Sequence, residues 1–354
     1  MLPTPLTRFA KFQQLFPTTP VYRWRQIETI LYTPGWHTWT NAHILPTAMR
    51  TAVAATLPWM TITVQTVLAS KKADTYKALC RTIDGGVFET VLMANARGDW
   101  TICVSSQIGC AMGCVFCATG AMGLTRSLTA DEIGDQYRLW RDWLAARPDL
   151  PPRISNVVFM GMGEPLANYD AVKETIITWL AQTDLGHTHI TVSTVGLLPQ
   201  LEKLLADPTW PPVRLAVSLH SADAVTRKNI VPTSVPNFLD QLAVWAKRFL
   251  AADKRRRNHL TFEHVMLAGI NDSPAHAKVL AEFANHIGQV KINLIPYNPT
   301  GKPELARTAT AALNGFKTIL EDNNVTVMIR RTMGDDIAAA CGQLATRSVE
   351  SSTG

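Results

Sequence analysis

Three of the chain's six cysteines fall within the nine residues GCAMGCVFC at positions 109–117. Their Cx3Cx2C spacing makes Cys110, Cys114 and Cys117 candidate metal ligands, because closely spaced thiolates bind either zinc or an iron–sulfur cluster. A structural zinc site takes four ligands, usually from two CxxC-type pairs, and the sequence contains no second pair. On a four-iron cluster, three thiolates leave one iron open, as catalytic metal sites do for a substrate.

The composition is that of a folded protein without a visible membrane or export segment. The chain has 354 residues, 47% of them hydrophobic, which is enough for one large domain or one large and one small domain. The first residues, MLPTPLTRFAKF, show no secretory signal, and no apolar stretch is long enough to span a bilayer. We therefore expect a cytoplasmic protein. Thiols stay reduced there, so the cysteines are better interpreted as ligands or redox groups than as disulfides.

The positive charge is concentrated near the N-terminus. Residues 1–95 contain nine Lys or Arg against four Asp or Glu, so most of the formal charge of +6 lies in the first quarter of the chain. Basic surfaces favour polyanions through counterion release. Charge alone does not separate nucleic-acid binding from ordinary solubility.

The first part of the chain predicts a small α+β module. Two helices are expected over VYRWRQIETILY and TAMRTAVAATL, followed by the β-rich runs TITVQTVLA, TYKALCRTI and VFETVLM. The DGG at 84–86 is a typical hairpin turn between the last two runs. We therefore divide the chain into an accessory domain, residues 1–95, and a core domain, residues 96–354, with a C-terminal extension carrying Cys341.

From residue 100 onward, strand and helix patterns alternate. The strand-like runs are TICVSSQ, ISNVVFMG, HITVSTVG, VRLAVSLH, LTFEHVML, VKINLIPY and VTVMIRR, and amphipathic stretches separate most of them. Such alternation predicts a parallel sheet with crossover helices. With six or so units instead of eight, the expected fold is α/β, a partial TIM-like (β/α)6 barrel.

Unusual polar residues follow these runs repeatedly, where a barrel gathers its active site at the C-terminal ends of the strands. Cys103 and the cysteine cluster follow the first run, and GMGE (161–164) follows the second. The others are Ser193, SLH (218–220) and PYNP (296–299). The sequence therefore predicts a single polar mouth.

These motifs together resemble a known family. Cx3Cx2C with Phe116 before the last cysteine is similar to the cluster motif of radical S-adenosylmethionine (SAM) enzymes, and GMGEP resembles their glycine-containing segment near the methionine amino group. CVSSQIGCAMGCVFCATG, GMGEPL, SLH, INLIPYNP and GDDIAAACGQL resemble the RlmN/Cfr family of adenine-C methyltransferases acting on ribosomal RNA, over nearly the whole chain. The resemblance implies a radical SAM barrel, a [4Fe–4S] cluster held by the three clustered cysteines, and SAM.

The resemblance also implies catalytic residues. The C2 and C8 carbons of adenine are electron-poor and cannot attack a sulfonium as nucleophiles, so a radical must add instead. By the family pattern Cys341 carries the methyl group, Cys103 resolves the adduct by forming a disulfide with Cys341, and Glu89 is the base. Without the resemblance, Cys341 could be a small apolar helix residue, Cys103 a core residue, and Glu89 an ordinary outward carboxylate of a strand.

Seven further residues are implied in SAM binding. Short polar side chains and backbone groups suit ribose hydroxyls, and a carboxylate such as Glu164 suits an ammonium. His220 alone could equally be a satisfied core histidine. The SAM-binding residues carried over from the family pattern are Gly163, Glu164, Ser193, Ser218, Leu219, His220 and Asn298.

The leading hypothesis is methylation of adenine C2 in 23S rRNA, with tRNA as a further candidate substrate and a flavodoxin or ferredoxin as electron donor. Three alternatives stay open: C8 methylation, a radical SAM enzyme on a non-RNA substrate, and a zinc-stabilised RNA-binding module. Ser234 and Ala338 depart from the family pattern and concern substrate positioning. The basic run DKRRRNH (253–259) is more typical of a solvated loop than of an RNA contact.

Overall fold

A ten-stranded sheet organises the chain in a computed structural model that describes residues 4–95, 97–252 and 260–345. The run DKRRRNH lies outside the described residues. The strands are β1 (Ile62–Ala69), β2 (Thr75–Thr82), β3 (Val87–Ala94), β4 (Trp100–Cys103), β5 (Gln107–Cys110), β6 (Gly123–Ser127), β7 (Ile154–Phe159), β8 (Ile190–Thr194), β9 (Arg214–Ser218), β10 (Leu260–Met266), β11 (Lys291–Pro296) and β12 (Thr326–Ile329). In the large sheet they follow the order β1-β2-β3-β4-β7-β8-β9-β10-β11-β12.

The strands from β4 through β12 in this order all pair in parallel. Each corresponds to one of the seven β-rich runs of the sequence. Most of their Val and Ile residues are buried, as is usual for parallel sheets that helices cover. The α/β class and the partial barrel are confirmed.

Helices connect the parallel strands and also build the N-terminal part. A capping box begins α5, where Thr129 accepts from the backbone N–H of Glu132 and the Glu132 carboxylate accepts from that of Thr129. The helices are α1 (Arg8–Leu15), α2 (Tyr22–Tyr32), α3 (Thr47–Thr56), α4 (Ala118–Ala121), α5 (Ala130–Ala145), α6 (Tyr169–Gln182), α7 (Leu198–Ala206), α8 (Ala224–Ile230), α9 (Phe238–Ala251), α10 (Pro274–Ile287) and α11 (Thr310–Asp322). Among the described residues, no helix has the length and apolarity needed to cross a membrane.

The N-terminal strands extend the barrel sheet instead of forming a separate one. β1, β2 and β3 pair antiparallel, with the predicted hairpin between β2 and β3, and β3 pairs antiparallel with β4. The sheet therefore continues without a break across the predicted boundary near residue 95. The division into residues 1–95 and 96–354 stays a prediction about function, and α1 is a helix that the sequence patterns did not predict.

A small hairpin of β5 and β6, also not predicted, carries the first cluster cysteine, Cys110. It depends on Gly109, whose φ is +76°. A Cβ atom there would lie 1.9 Å from the carbonyl oxygen of Gly123. Only glycine fits this close approach of two backbones. The hairpin thereby fixes Cys110 at the C-terminal edge of the parallel strands.

Candidate active site

A cavity of about 760 Å³, partly open to solvent, lies at the C-terminal ends of the parallel strands. Nine of the thirteen site residues inferred from the sequence line it: Cys110, Cys114, Cys117, Gly163, Glu164, Ser193, Ser218, His220 and Cys341. Most of the predicted site residues therefore line one cavity, together with apolar side chains. Glu89, Cys103, Leu219 and Asn298 lie outside its lining.

The three clustered cysteines occupy one side of this cavity. Cys110 ends β5, Cys117 directly precedes α4, and Cys114 lies in the loop between them. The backbone N–H of Val115 donates to the carbonyl of Ile230 at 3.0 Å, which anchors the loop to α8. Burial raises the pKa of all three thiols, that of Cys110 to about 12. A neighbouring thiol raises each pKa as well: Cys117 acts on Cys110 and Cys114, and Cys341 acts on Cys117. Metal binding would ionise such thiols.

Glu164 faces the cavity from the segment after β7. Its Oε1 accepts from the Leu166 N–H at 3.0 Å and its Oε2 from the Val195 N–H at 2.8 Å. Burial raises the pKa of Glu164 to about 7, although these backbone hydrogen bonds lower it. A ligand ammonium would stabilise the ionised form.

Gly163 brings this segment close to the hairpin of β5 and β6, which carries Cys110. Its φ is +100°, and a Cβ atom there would lie 2.5 Å from Cβ of Gln107. The Gln107 side chain in turn accepts from the N–H of Glu164 at 2.9 Å. A glycine is therefore required by both conformation and space, and Gln107 is a positioning residue that the sequence did not reveal.

Ser193, Ser218 and His220 line the neighbouring strand ends. The two serine hydroxyl oxygens are 3.5 Å apart across β8 and β9. Nδ1 of His220 accepts from the N–H of Val265 at 3.1 Å, and its ring meets Phe116 edge-on with centroids 4.5 Å apart. Burial lowers the pKa of His220 well below 6.5, so the ring is neutral. This end of the cavity thus offers uncharged polar groups.

Two of the residues inferred for SAM binding support the cavity from behind. The side chain of Leu219 is fully buried in the core. Asn298 donates through Nδ2 to the carbonyl of Cys341 at 3.1 Å, and its Oδ1 accepts from Arg307 at 2.8 Å. In this arrangement Asn298 holds the segment that carries Cys341.

Cys341 and Cys103 lie within electrostatic range of each other. Cys341 is exposed and lines the cavity, whereas Cys103 is buried at the end of β4. Burial, with a smaller contribution from Cys341, raises the pKa of Cys103 to about 12, although Arg330 lowers it. Cys341 also raises the pKa of Cys117. Cys341 therefore lies near both the cysteine cluster and the second isolated thiol.

Glu89 is buried in β3 beside the C-terminal segment. Its Oε1 lies 2.9 Å from Nζ of Lys77, and its Oε2 accepts from the N–H of Ala345 at 2.9 Å. Ala345 is four residues beyond Cys341. The carboxylate is thus tied to the segment that carries the isolated thiol.

Sequence reasoning missed a carboxylate of the cavity wall, Glu263 in β10. Its Oε1 accepts from Asn293 at 2.7 Å, and its Oε2 lies 3.5 Å from Nη1 of Arg330. The signal was present, because a charged residue inside the apolar run LTFEHVML needs a buried partner. That the partner is Arg330 depends on the pairing of distant strands.

Comparison with known proteins decides the family. The Radical SAM superfamily matches residues 104–280. A dual-specificity RNA methyltransferase RlmN from Desulfotalea psychrophila is 40% identical over 92% of this chain and 90% of its own length. The chain belongs to the RlmN family. A probable RlmN from Picosynechococcus is 38% identical over 92% of this chain and 90% of its own.

A solved structure agrees with this family. A radical SAM methyltransferase from Sphaerobacter thermophilus superimposes with a TM-score of 0.85, at 36% identity, over 98% of this chain and 100% of the other. The chain is therefore a radical SAM enzyme of the RlmN family, and such enzymes use a [4Fe–4S] cluster and SAM.

The residues present fit these cofactors. Among the described residues, no group of three or more His, Cys, Asp or Glu is arranged to hold a single metal ion. In a four-iron cluster, by contrast, each thiolate binds its own iron, so three thiols on one side of the cavity suit it. The carboxylate of Glu164 and the neutral end near His220 suit the ammonium and the uncharged parts of SAM.

Proposed function

We propose that this enzyme methylates C2 of adenine in 23S rRNA, with tRNA as a second substrate, and that the methyl group travels on Cys341. The observation that carries the proposal is the position of the Cys341 thiol, which lies on the cavity wall within electrostatic range of both Cys117 and Cys103. A radical SAM enzyme without a cysteine carrier has no need of two isolated thiols beside its cluster ligands. Dual-specificity RNA methyltransferases of the same family support the RNA substrate.

Cys110, Cys114 and Cys117 would hold the cluster, and the residues around Gly163, Glu164, Ser193, Ser218 and His220 would hold SAM. When bound, these cofactors would supply the methyl group, the one-electron chemistry that removes a hydrogen atom from the S-methyl group of Cys341, and an acceptor for one electron of the RNA adduct. The protein supplies position: Glu164 orients the ammonium, and the buried cavity wall limits water. Leu219 and Asn298 would support the cavity wall without lining it.

Three residues, Cys341, Glu89 and Cys103, then carry out the remaining steps. The methylene carbon on Sγ of Cys341 bonds to adenine C2, and Glu89 accepts the proton that C2 carried. The Cys103 thiolate attacks Sγ of Cys341, and the carbon–sulfur bond breaks with its electron pair left on carbon. That carbon takes up a proton and becomes the methyl group. The Cys103–Cys341 disulfide is afterwards reduced by an external thiol.

The partners follow from this chemistry. The adenine edge must enter a cavity, so the RNA presents an unstacked base from a single-stranded region. The basic residues 1–95 would bind its phosphates. A flavodoxin or ferredoxin would supply electrons, and the reaction would take place in the cytoplasm.

The test is the isomer of methyladenosine in RNA. Ribosomal RNA and tRNA from cells with and without the gene are digested to nucleosides and separated by mass spectrometry. We expect 2-methyladenosine only with the gene present. The appearance of 8-methyladenosine instead would establish the alternative regiochemistry, and no gene-dependent methyladenosine would refute RNA methylation.

A further inference from the structure

Lys77 is a buried lysine beside the candidate base. It lies in β2 with 6% of its surface exposed, and Glu89 is 1% exposed. Nζ of Lys77 is 2.9 Å from Oε1 of Glu89. A lysine is rarely buried without a partner, because desolvating an ammonium costs several kcal/mol. Because both side chains are buried, this ion pair does not serve the solubility of the protein surface.

The strand register aligns this pair with the resolving thiol. Lys77 is opposite Val91 in β3, and Val91 is opposite Cys103 in β4. Directly opposed residues share a face of the sheet, and so do residues two apart on one strand. Lys77, Glu89 and Cys103 therefore lie on the same face across three neighbouring strands.

The segment that carries Cys341 lies against this face and is held by both members of the pair. Nζ of Lys77 donates to the carbonyl of Ala338 at 3.1 Å, three residues before Cys341. The carboxylate of Glu89 accepts from the N–H of Ala345 at 2.9 Å, four residues after it. The ion pair of Lys77 and Glu89 therefore holds the Cys341 segment by hydrogen bonds on both sides of the thiol.

We propose that Lys77 is a positioning residue of the methyl transfer, which fixes the carboxylate of Glu89 relative to Cys341. Each carboxylate oxygen has two acceptor sites, so Glu89 can hold Lys77 and Ala345 and still accept a proton from the adduct. The inference deepens the proposed function, since it depends on Glu89 being the base.

The test uses a charge-removing and a charge-keeping variant. Lys77→Gln retains a hydrogen-bond donor without charge, Lys77→Arg retains the charge, and Lys72→Gln removes an exposed lysine of the same β1–β2 hairpin as a control. Each cluster-loaded variant is assayed for S-methylation of Cys341 by peptide mass spectrometry, for covalent protein–RNA adduct on a denaturing gel, and for the rate of 2-methyladenosine formation.

We expect Lys77→Gln to methylate Cys341 within about twofold of the parent enzyme, but to accumulate adduct and form product about 10²-fold more slowly, the scale of a general base. Lys77→Arg should restore most of the rate, and Lys72→Gln should behave as the parent.

Two results would overturn the role of Lys77. One is formation of 2-methyladenosine by Lys77→Gln at the rate of the parent enzyme. The other is a parallel loss of S-methylation and product that Lys77→Arg does not rescue, which would mark a purely structural residue. Failure of the proposed function is distinguishable, because the parent enzyme would then form no 2-methyladenosine or Glu89→Gln would turn over at the parental rate.

Discussion

Cys103 illustrates how burial sets the chemistry of one side chain. The reactive form of a thiol is the thiolate, and burial raises the pKa of Cys103 to about 12. The thiol is therefore protonated at neutral pH, and Arg330 is a cation that favours its ionisation. Resolution of the adduct should consequently be the step most sensitive to changes at this position.

Replacing Cys103 by alanine should trap the RNA on Cys341, because no thiolate remains to attack the thioether sulfur. A protein–RNA crosslink that is stable in denaturant and maps to Cys341 by mass spectrometry is expected under turnover conditions. Cys80→Ala is the matched control, since Cys80 is a fully buried strand residue. Absence of a crosslink in the Cys103 variant would argue against the carrier mechanism.

We expect Glu164 to make the binding of SAM dependent on pH. Burial raises its pKa from 4.5 to about 7, so without ligand the carboxyl is half protonated near neutrality. An ammonium ligand prefers the ionised form, so affinity is retained above about pH 7 and lost as the pH falls below it. The dissociation constant should rise up to about tenfold per pH unit below 7.

Isothermal titration of the cluster-loaded enzyme between pH 7.5 and 5.5 measures this dependence. The Glu164→Gln variant should bind SAM weakly and with little change over the same range, because it has no proton to gain. An equally steep loss of affinity in that variant would assign the dependence to another group.

At the scale of elements, the loop after β7 is fixed by its contact with the loop after β4. A Cβ atom on Gly161 would lie 2.6 Å from the carbonyl oxygen of Val104 and 2.7 Å from Oγ of Ser105. These contacts are backbone or short side chain, so the loop itself would have to move. The geometry of the cavity wall therefore depends on this glycine.

Gly161→Ala should destabilise the protein by about 1–3 kcal/mol, the usual cost of overpacking, and should weaken SAM binding. Urea unfolding and the titration above measure the two effects. Gly315→Ala in α11 is the control: no atom lies within 4 Å of its Cβ position, and the helix should gain about 0.5–1 kcal/mol. Equal behaviour of the two variants would show that the loop can adjust.

At the scale of the whole molecule, Arg8 joins the N-terminal helices to the barrel. It is 2% exposed and lies 2.6 Å from Oδ2 of Asp135 in α5. Burial alone raises the pKa of Asp135, but Arg8 and Arg138 hold that pKa down at about 2. This stabilisation is present above the ordinary pKa of 3.8 and is lost as the pH falls toward 2.

Arg8→Ala should destabilise the chain by about 3–5 kcal/mol, because removing one member of a buried ion pair leaves the other uncompensated. Chemical unfolding at pH 7 measures the loss, and Gln14→Ala on the exposed side of α1 is the control. A loss under 1 kcal/mol would mean that Arg138 alone suffices for Asp135.

The sequence by itself determined the local features of this protein. The Cx3Cx2C spacing, the hairpin turn DGG and the seven β-rich runs are short-range patterns, and the barrel strands follow them closely. These features are readable because a motif or an alternating strand depends on neighbours along the chain. The family resemblance then supplied roles for Cys103 and Cys341.

Only the tertiary structure decided what distant residues do to one another. Cys103 and Cys341 lie more than two hundred residues apart. The hydrogen bonds of Lys77 and Glu89 to the Cys341 segment likewise connect β2 and β3 with residues more than two hundred positions further along the chain. The cluster hairpin and the partner of Glu263 likewise arise from packing. Such contacts follow from strand order and register, because side chains far apart in sequence meet only where the packed backbone brings them together.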